Sequence, residues 1–190
     1  MAVVGGYAVS RAFFNFNSSG IDSTVSSATL KLFADTFVGS NVIVVKSAHN
    51  PLDASEDWFN TWLDEATDVD WDADDVTEYS GEKVVTSTSA YTEITLNSTA
   101  LSDLENDTTF QIAVIDYTHD YLDSAPDGFL SRTGWFFSDQ AISGDGSKVP
   151  KISYTLGTCG YANNVSGVAT ADISKVNGIA TADIEKINGI

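Results

Sequence analysis

The segment Thr108-Thr109-Phe110-Gln111-Ile112-Ala113-Val114-Ile115-Asp116-Tyr117 limits the fold more than any other stretch of this chain. Side chains of an extended strand alternate between faces, so Phe110, Ile112 and Val114 share one side while Gln111, Ala113 and Ile115 share the other. Both sides are largely apolar, which is the pattern of a strand covered on two faces. Polar Asn106-Asp107 and Tyr117-Thr118-His119-Asp120 mark its two ends. Such a strand needs paired neighbours and a layer above and below it, and the rest of the chain must supply both.

The remaining periodicities are mostly those of strands. Tyr7 to Phe16 reads as one strand with Tyr7, Val9 and Phe13 on the core side. Ser27 to Phe33 is another, with Ala28, Leu30 and Leu32 inward and Thr29 and Lys31 outward. Val42-Ile43-Val44-Val45-Lys46 is a β-branched run that follows a turn at Gly39-Ser40-Asn41. Lys83-Val84-Val85, Tyr91 to Leu96, Gly128-Phe129-Leu130 and Gly134 to Ser138 extend the series, with a break or bulge at Ser131-Arg132-Thr133. Pro150 to Leu156 closes it, the proline standing at the strand's tolerated first position. Helix is sparse. One is predicted over Ala54 to Asp64, where Trp58 and Trp62, like Phe59 and Leu63, are four apart, and a single turn over Ala100 to Leu104. Short strands joined by polar turns predict an all-β jelly-roll β-sandwich over residues 1–157.

Beyond Gly157-Thr158-Cys159-Gly160 the pattern changes to a repeat with a period of 11 residues, Val165 to Lys175 and then Val176 to Lys186, with a third copy begun at Ile187. Thr170 and Thr181 are placed to cap short helical turns through Ala-Asp-Ile-x-Lys, and Asn177-Gly178 and Asn188-Gly189 accept the positive φ of a tight turn. Residues 158–190 are thus expected to be a tail of small helical turns. One unit is too short to shelter Val165, Val168, Ile173, Val176, Ile179, Ile184, Ile187 and Ile190, so stacked units or other chains must cover them. The tail reads as a docking or oligomerisation element.

Charge narrows the partners. Twenty-seven acidic residues against nine basic ones give a net charge of −18. A surface of that sign repels phosphate backbones and anionic headgroups, so neither nucleic acid nor membrane is an expected partner. Met1 to Gly6 lacks the basic start and apolar core of a signal peptide, and no run approaches the roughly 20 apolar residues that cross a bilayer. Cys159 is the only cysteine, so an intrachain disulfide is excluded.

No catalytic set stands out, and the chain is read as a non-enzyme. His49 and His119 have no metal-ligand spacing, and no Gly-x-Ser-x-Gly elbow accompanies His119-Asp120. Asp68, Asp70, Asp72, Asp74 and Asp75 crowd one loop, a density of oxygen ligands that suits Ca²⁺; a cofactor is otherwise not expected. The EF-hand pattern fails there, since Asp75 falls where glycine is required and Gly81 where glutamate is required. Asp120, Asp123 and Asp127 form a second, sparser acidic group. For sugar binding, a ring flanked by hydrogen-bonding groups is needed, and Trp71, Tyr117 and Tyr121 are the aromatics in polar surroundings.

Several segments carry a resemblance. Ser10 to Ser19 with Val25 to Leu32 resembles the opening of the DNRLRE-type jelly-roll modules, and Tyr91 to Asn97, Phe136 to Gln140 and Pro150-Lys151-Ile152 resemble their later strands. Such modules occur in phage virion proteins and in bacterial surface or secreted proteins, and their architecture is similar to that of carbohydrate-binding modules. The Val-Asn-Gly-Ile-Ala-Thr-Ala-Asp-Ile tail is similar to repeats of phage tail-fibre and other structural proteins. The resemblance implies a virion structural protein, a capsid decoration or a fibre or appendage subunit, on the particle surface. Its partners would be copies of itself (a trimer being one such form) and other virion proteins, with polysaccharide as a further ligand. The other expectation is a glycan-binding adhesin module of a cell-surface or secreted protein. Related modules carry an additional strand before the Arg11-x-Phe13 segment, so an edge strand is expected to be missing here or borrowed from a neighbour.

Overall fold

The structure, a computed structural model, describes residues 2–4, 7–9, 11–21, 23–48, 76–124, 132–137, 146–157, 175–176 and 179–180. The helix expected over Ala54 to Asp64, the acidic loop with Trp71, and the strand expected at Gly128 to Leu130 lie outside the described residues.

Two antiparallel sheets dominate. One has the order β10-β4-β7, built from β10 (Lys151–Leu156), β4 (Val25–Val38) and β7 (Tyr91–Thr95), with β9 (Arg132–Trp135) paired to the far half of β4. The other runs β3-β8-β5-β6, from β3 (Ala12–Asn17), β8 (Thr109–Asp116), β5 (Asn41–Lys46) and β6 (Lys83–Val84). β8 is therefore an inner strand, paired to β3 through Phe14↔Ile112 and to β5 through Val44↔Val114. Its two apolar faces follow from that position. Phe110, Ile112 and Val114 join Leu30, Leu32, Ile94, Val42 and Val44 in a core shared by both sheets, while Ala113 and Ile115 pack with Ile43, Val45 and Val76 on the opposite side. The chain is all-β in its main architecture.

β4 runs for 14 residues, twice the length expected, because its first half pairs with β10 and β7 and its second half with β9. Ala28, Leu30 and Leu32 are buried as their alternation requires. The chain then passes from one sheet to the other through Gly39, whose φ of 50° lies in the left-handed region that glycine adopts without a Cβ clash. Asn97 caps α1 (Ser98–Asn106), its side-chain oxygen accepting from the Ala100 amide at 3.0 Å. This helix is longer than the single turn expected, and it buries Ala100 and Leu104 in the shared core.

Two readings need correction. Tyr7 to Phe16 is two strands: β2 (Tyr7–Val9) pairs with β1 (Ala2–Val4), whereas β3 pairs with β8. Phe13 accordingly lies on the side away from the shared core, and Phe14 and Phe16 take the inner positions. β9 begins at Arg132, where a break was expected, because Thr133 and Gly134 pair with Phe37 and Thr36. In the tail, Lys175–Val176 and Ile179–Ala180 are antiparallel strands, β11 and β12, on either side of the turn position expected at Asn177-Gly178, while the helical turns expected after Thr170 and Thr181 lie outside the described residues except for Lys175. Val176 faces Ile179 across a two-residue Asn177-Gly178 connection, and Asn-Gly is the dipeptide that two-residue hairpins favour. Val165, Val168, Ile173, Ile184, Ile187 and Ile190 lie outside the described residues.

Candidate functional site

β8 delivers a cluster of polar and aromatic groups in which a ligand site can be built from described residues. At its end the chain winds into a five-residue π-helical turn, Tyr117–Tyr121, closed by the Leu122 amide donating to the Tyr117 carbonyl at 3.0 Å. Wide turns of this kind are uncommon and recur at functional sites. Asp116 starts it, one carboxylate oxygen accepting from the amides of Thr118 at 3.0 Å and His119 at 2.8 Å.

A distant residue fixes the turn from below. Arg11, which leads into β3, donates from Nε to Asp120 Oδ2 at 2.8 Å and from Nη2 to Oδ1 at 2.7 Å. Both side chains are more than nine-tenths buried, at 7% and 5% exposure. The planar fork of a guanidinium matches a carboxylate in this two-point geometry, so the ion pair sets orientation as well as charge. Asp120 was grouped with Asp123 and Asp127 as a second acidic cluster; both its carboxylate oxygens are engaged by Arg11, while Asp123 is exposed on a backbone with φ of 47°. Among the described residues no group of three or more acidic, histidine or cysteine side chains is placed to hold a metal ion. Asp68, Asp70, Asp72, Asp74 and Asp75 lie outside the described residues.

Tyr117 and Tyr121, expected as loop aromatics, are brought together by the turn. Their rings stack at 5.4 Å between centroids and 18° between planes. Both are half-buried against the outer cluster of Ile43, Val45, Ala113 and Ile115. The Tyr121 hydroxyl donates to the Glu78 carboxylate, and Glu78 is bridged to Val45 of β5. His119 Nδ1 lies 2.8 Å from the Ser124 carbonyl. A carbonyl only accepts, so Nδ1 carries the hydrogen and, in the neutral ring, Nε2 is left as the acceptor. His119 and Asp120 are adjacent in sequence, yet their side chains serve different partners, Ser124 and Arg11.

The strand segment that supplies Glu78 also ties the site to the core. Tyr79 turns inward and stacks on Phe110 at 5.1 Å and 14°. Its hydroxyl donates to Asp103 on α1, whose Oδ2 also accepts from Lys46 Nζ at 2.8 Å. Burial, followed by the hydrogen bond and charge of Asp103, pushes the Tyr79 phenol well above the ordinary tyrosine range. At Asp103 burial opposes ionisation, but the hydrogen bonds from Lys46 and Tyr79 together with the Lys46 charge outweigh it, and the carboxyl is held below its usual value. Arg11 and Glu78 carried no local sequence signal: Arg11 meets Asp120 across 109 positions, and Glu78 meets Tyr121 across 43.

In this geometry two aromatic rings, a carboxylate and an imidazole acceptor share one end of the β3-β8-β5-β6 sheet, and a buried ion pair holds the turn that carries them. Trp71, the third aromatic expected, lies outside the described residues. No family model, no curated protein and no solved structure matches this chain.

Proposed function

We propose that this chain is a structural subunit of a phage particle, a capsid decoration or a fibre or appendage protein. In this reading a jelly-roll sandwich projects into the medium and residues 158–190 dock on the particle or on sister subunits. The observation that carries it is the state of β10. Ile152 pairs with Leu30 and Tyr154 with Ala28, so these positions share the side of the sheet that bears the core. Tyr154 and Leu156 nevertheless remain 46% and 45% exposed on an edge strand that precedes the apolar repeat beginning at Val165. Large apolar side chains at an edge, continuing into a repeat of branched residues, suit a surface that another chain covers. The net charge of −18 supports the same reading, since it keeps finished particles apart in saline water. The test is light scattering on the full chain. Wild type is expected to form a defined oligomer and Ile173→Asp/Ile184→Asp a monomer; a monodisperse wild-type monomer sinks the reading.

The stacked Tyr117–Tyr121 pair favours a second reading, a glycan-binding module. Half-exposed rings flanked by Glu78 and His119 offer an apolar platform with hydrogen-bonding groups beside it, which is what a sugar ring needs. Binding on a glycan array that Tyr117→Ala and Tyr121→Ala abolish supports it, and the absence of binding by wild type removes it.

A further inference from the structure

The outward face of the β10-β4-β7 sheet departs from the charge of the rest of the chain. Three of the nine basic residues, Lys31, Lys148 and Lys151, gather there. Among the described residues the acids opposing them are Glu93, already bonded to Lys31 at 2.7 Å, and Asp35 further along β4. Lys151 and Lys31 are direct cross-strand partners. Like charges in that position repel, a repulsion that Glu93 offsets at Lys31.

The lysines are also held in place. Phe33, Tyr91 and Phe136 form a bed of rings, with Phe33 meeting Tyr91 edge-on at 5.4 Å and Phe136 at 5.9 Å. Lys148 Nζ rides 4.6 Å above the Phe136 centroid and 5.1 Å above that of Phe33, and Lys151 Nζ lies 4.4 Å above Tyr91. The Tyr91 hydroxyl secures the segment carrying Lys148, donating to the carbonyls of Ser147 at 2.5 Å and Val149 at 3.1 Å. Ammonium groups over rings lose little freedom when an anion arrives, so this face is preorganised for carboxylates. Ser27, Thr29, Thr95, Ser153 and Thr155 continue the face as a flat row of hydroxyls.

We propose that this face is a docking surface for the acidic surface of a second copy of this chain, an inference that rests on the assembled-particle reading. The charge complementarity is internal to the molecule: in a chain of net charge −18 the described residues include a locally basic, ring-backed sheet face. A basic patch meeting an acidic surface elsewhere on the next copy is a head-to-tail contact, which builds rings or arrays rather than closed pairs. Long-range repulsion between such acidic bodies opposes it at low salt, is screened beyond roughly 8 Å at about 0.15 M ionic strength, and the contact itself weakens near about 1 M. The contact therefore strengthens and then weakens as salt rises.

Sedimentation velocity of the full chain across that salt range tests this, with Lys148→Glu/Lys151→Glu as the variant. Association through the lysine face is expected to peak near about 0.15 M salt and to weaken at least about tenfold in the variant. The variant's melting temperature is expected to hold or rise, because Lys151→Glu replaces a like-charge pair with an opposite-charge one. Self-association that grows steadily with salt and ignores both substitutions overturns the inference but leaves apolar docking by the tail intact. A wild type that stays monomeric at every salt sinks both. Polygalacturonate, as a free carboxylated polymer, is the third arm: if it binds the lysine face of a chain whose self-association ignores the variant, the occupant is a polysaccharide and the second-copy proposal fails.

Discussion

Replacing Arg11 with methionine removes a bidentate charged partner of a buried carboxylate. The cost depends on burial. An exposed ion pair contributes about 0–1 kcal/mol, because water competes for both groups. Removing one member of a buried pair costs about 3–5 kcal/mol, since the remaining charge is left without solvent or counter-charge. Arg11 and Asp120 have 7% and 5% exposed side chains and two hydrogen bonds of 2.7 and 2.8 Å, which places them in the second regime. Arg11→Met is therefore expected to lower the unfolding free energy by about 3–5 kcal/mol in urea titration. Arg11→Met/Asp120→Leu should recover part of that loss, because the Asp120 carboxylate is then no longer stranded. Near-ultraviolet circular dichroism should report the same event, as the Tyr117–Tyr121 stack sits on the turn that Asp120 anchors. A cost below about 1 kcal/mol for the single variant would refute the reasoning, since the pair would then be behaving as a solvated one.

Acid titration tests Asp103. Its folded pKa is depressed, so its contribution is present above the unfolded value of about 4 and is lost as pH falls through the folded one. Asp103→Asn should flatten that acid limb of the stability curve, as followed by tryptophan fluorescence. At the alkaline end Tyr79 has a raised folded pKa, so its contribution is intact below the unfolded value of about 10 and declines above it. Tyr79→Phe should remove this alkaline loss, and at neutral pH it should cost about 1–2 kcal/mol for the hydrogen bond to Asp103. Leu30→Ala, at a fully buried position in the shared core, should cost about 2–5 kcal/mol in urea titration; a change under about 1 kcal/mol would mean that the two sheets do not share that core.

What could be read from the sequence followed from alternation. The two faces of β8 and the inward row of Ala28, Leu30 and Leu32 depend on a two-residue period that strand geometry imposes, so composition at successive positions is enough. The turn at Asn177-Gly178 likewise depends on neighbours only, as does the Asn97 cap of α1, although only a turn over Ala100 to Leu104 was expected there. Alternation failed at Tyr7 to Phe16, because it carries no mark of where a strand changes partner, and the switch between β2 and β3 moved Phe13 to the other face.

The tyrosine site and the lysine face were decided by pairing over long separations. Nothing near Arg11 announces Asp120, 109 positions away, and nothing near Lys31 announces that Lys151 will stand opposite it. Local propensity fixes which residues form strands and which way each side chain alternates. Register and strand order fix which charges and rings meet, and those are properties of the folded sheets as a whole.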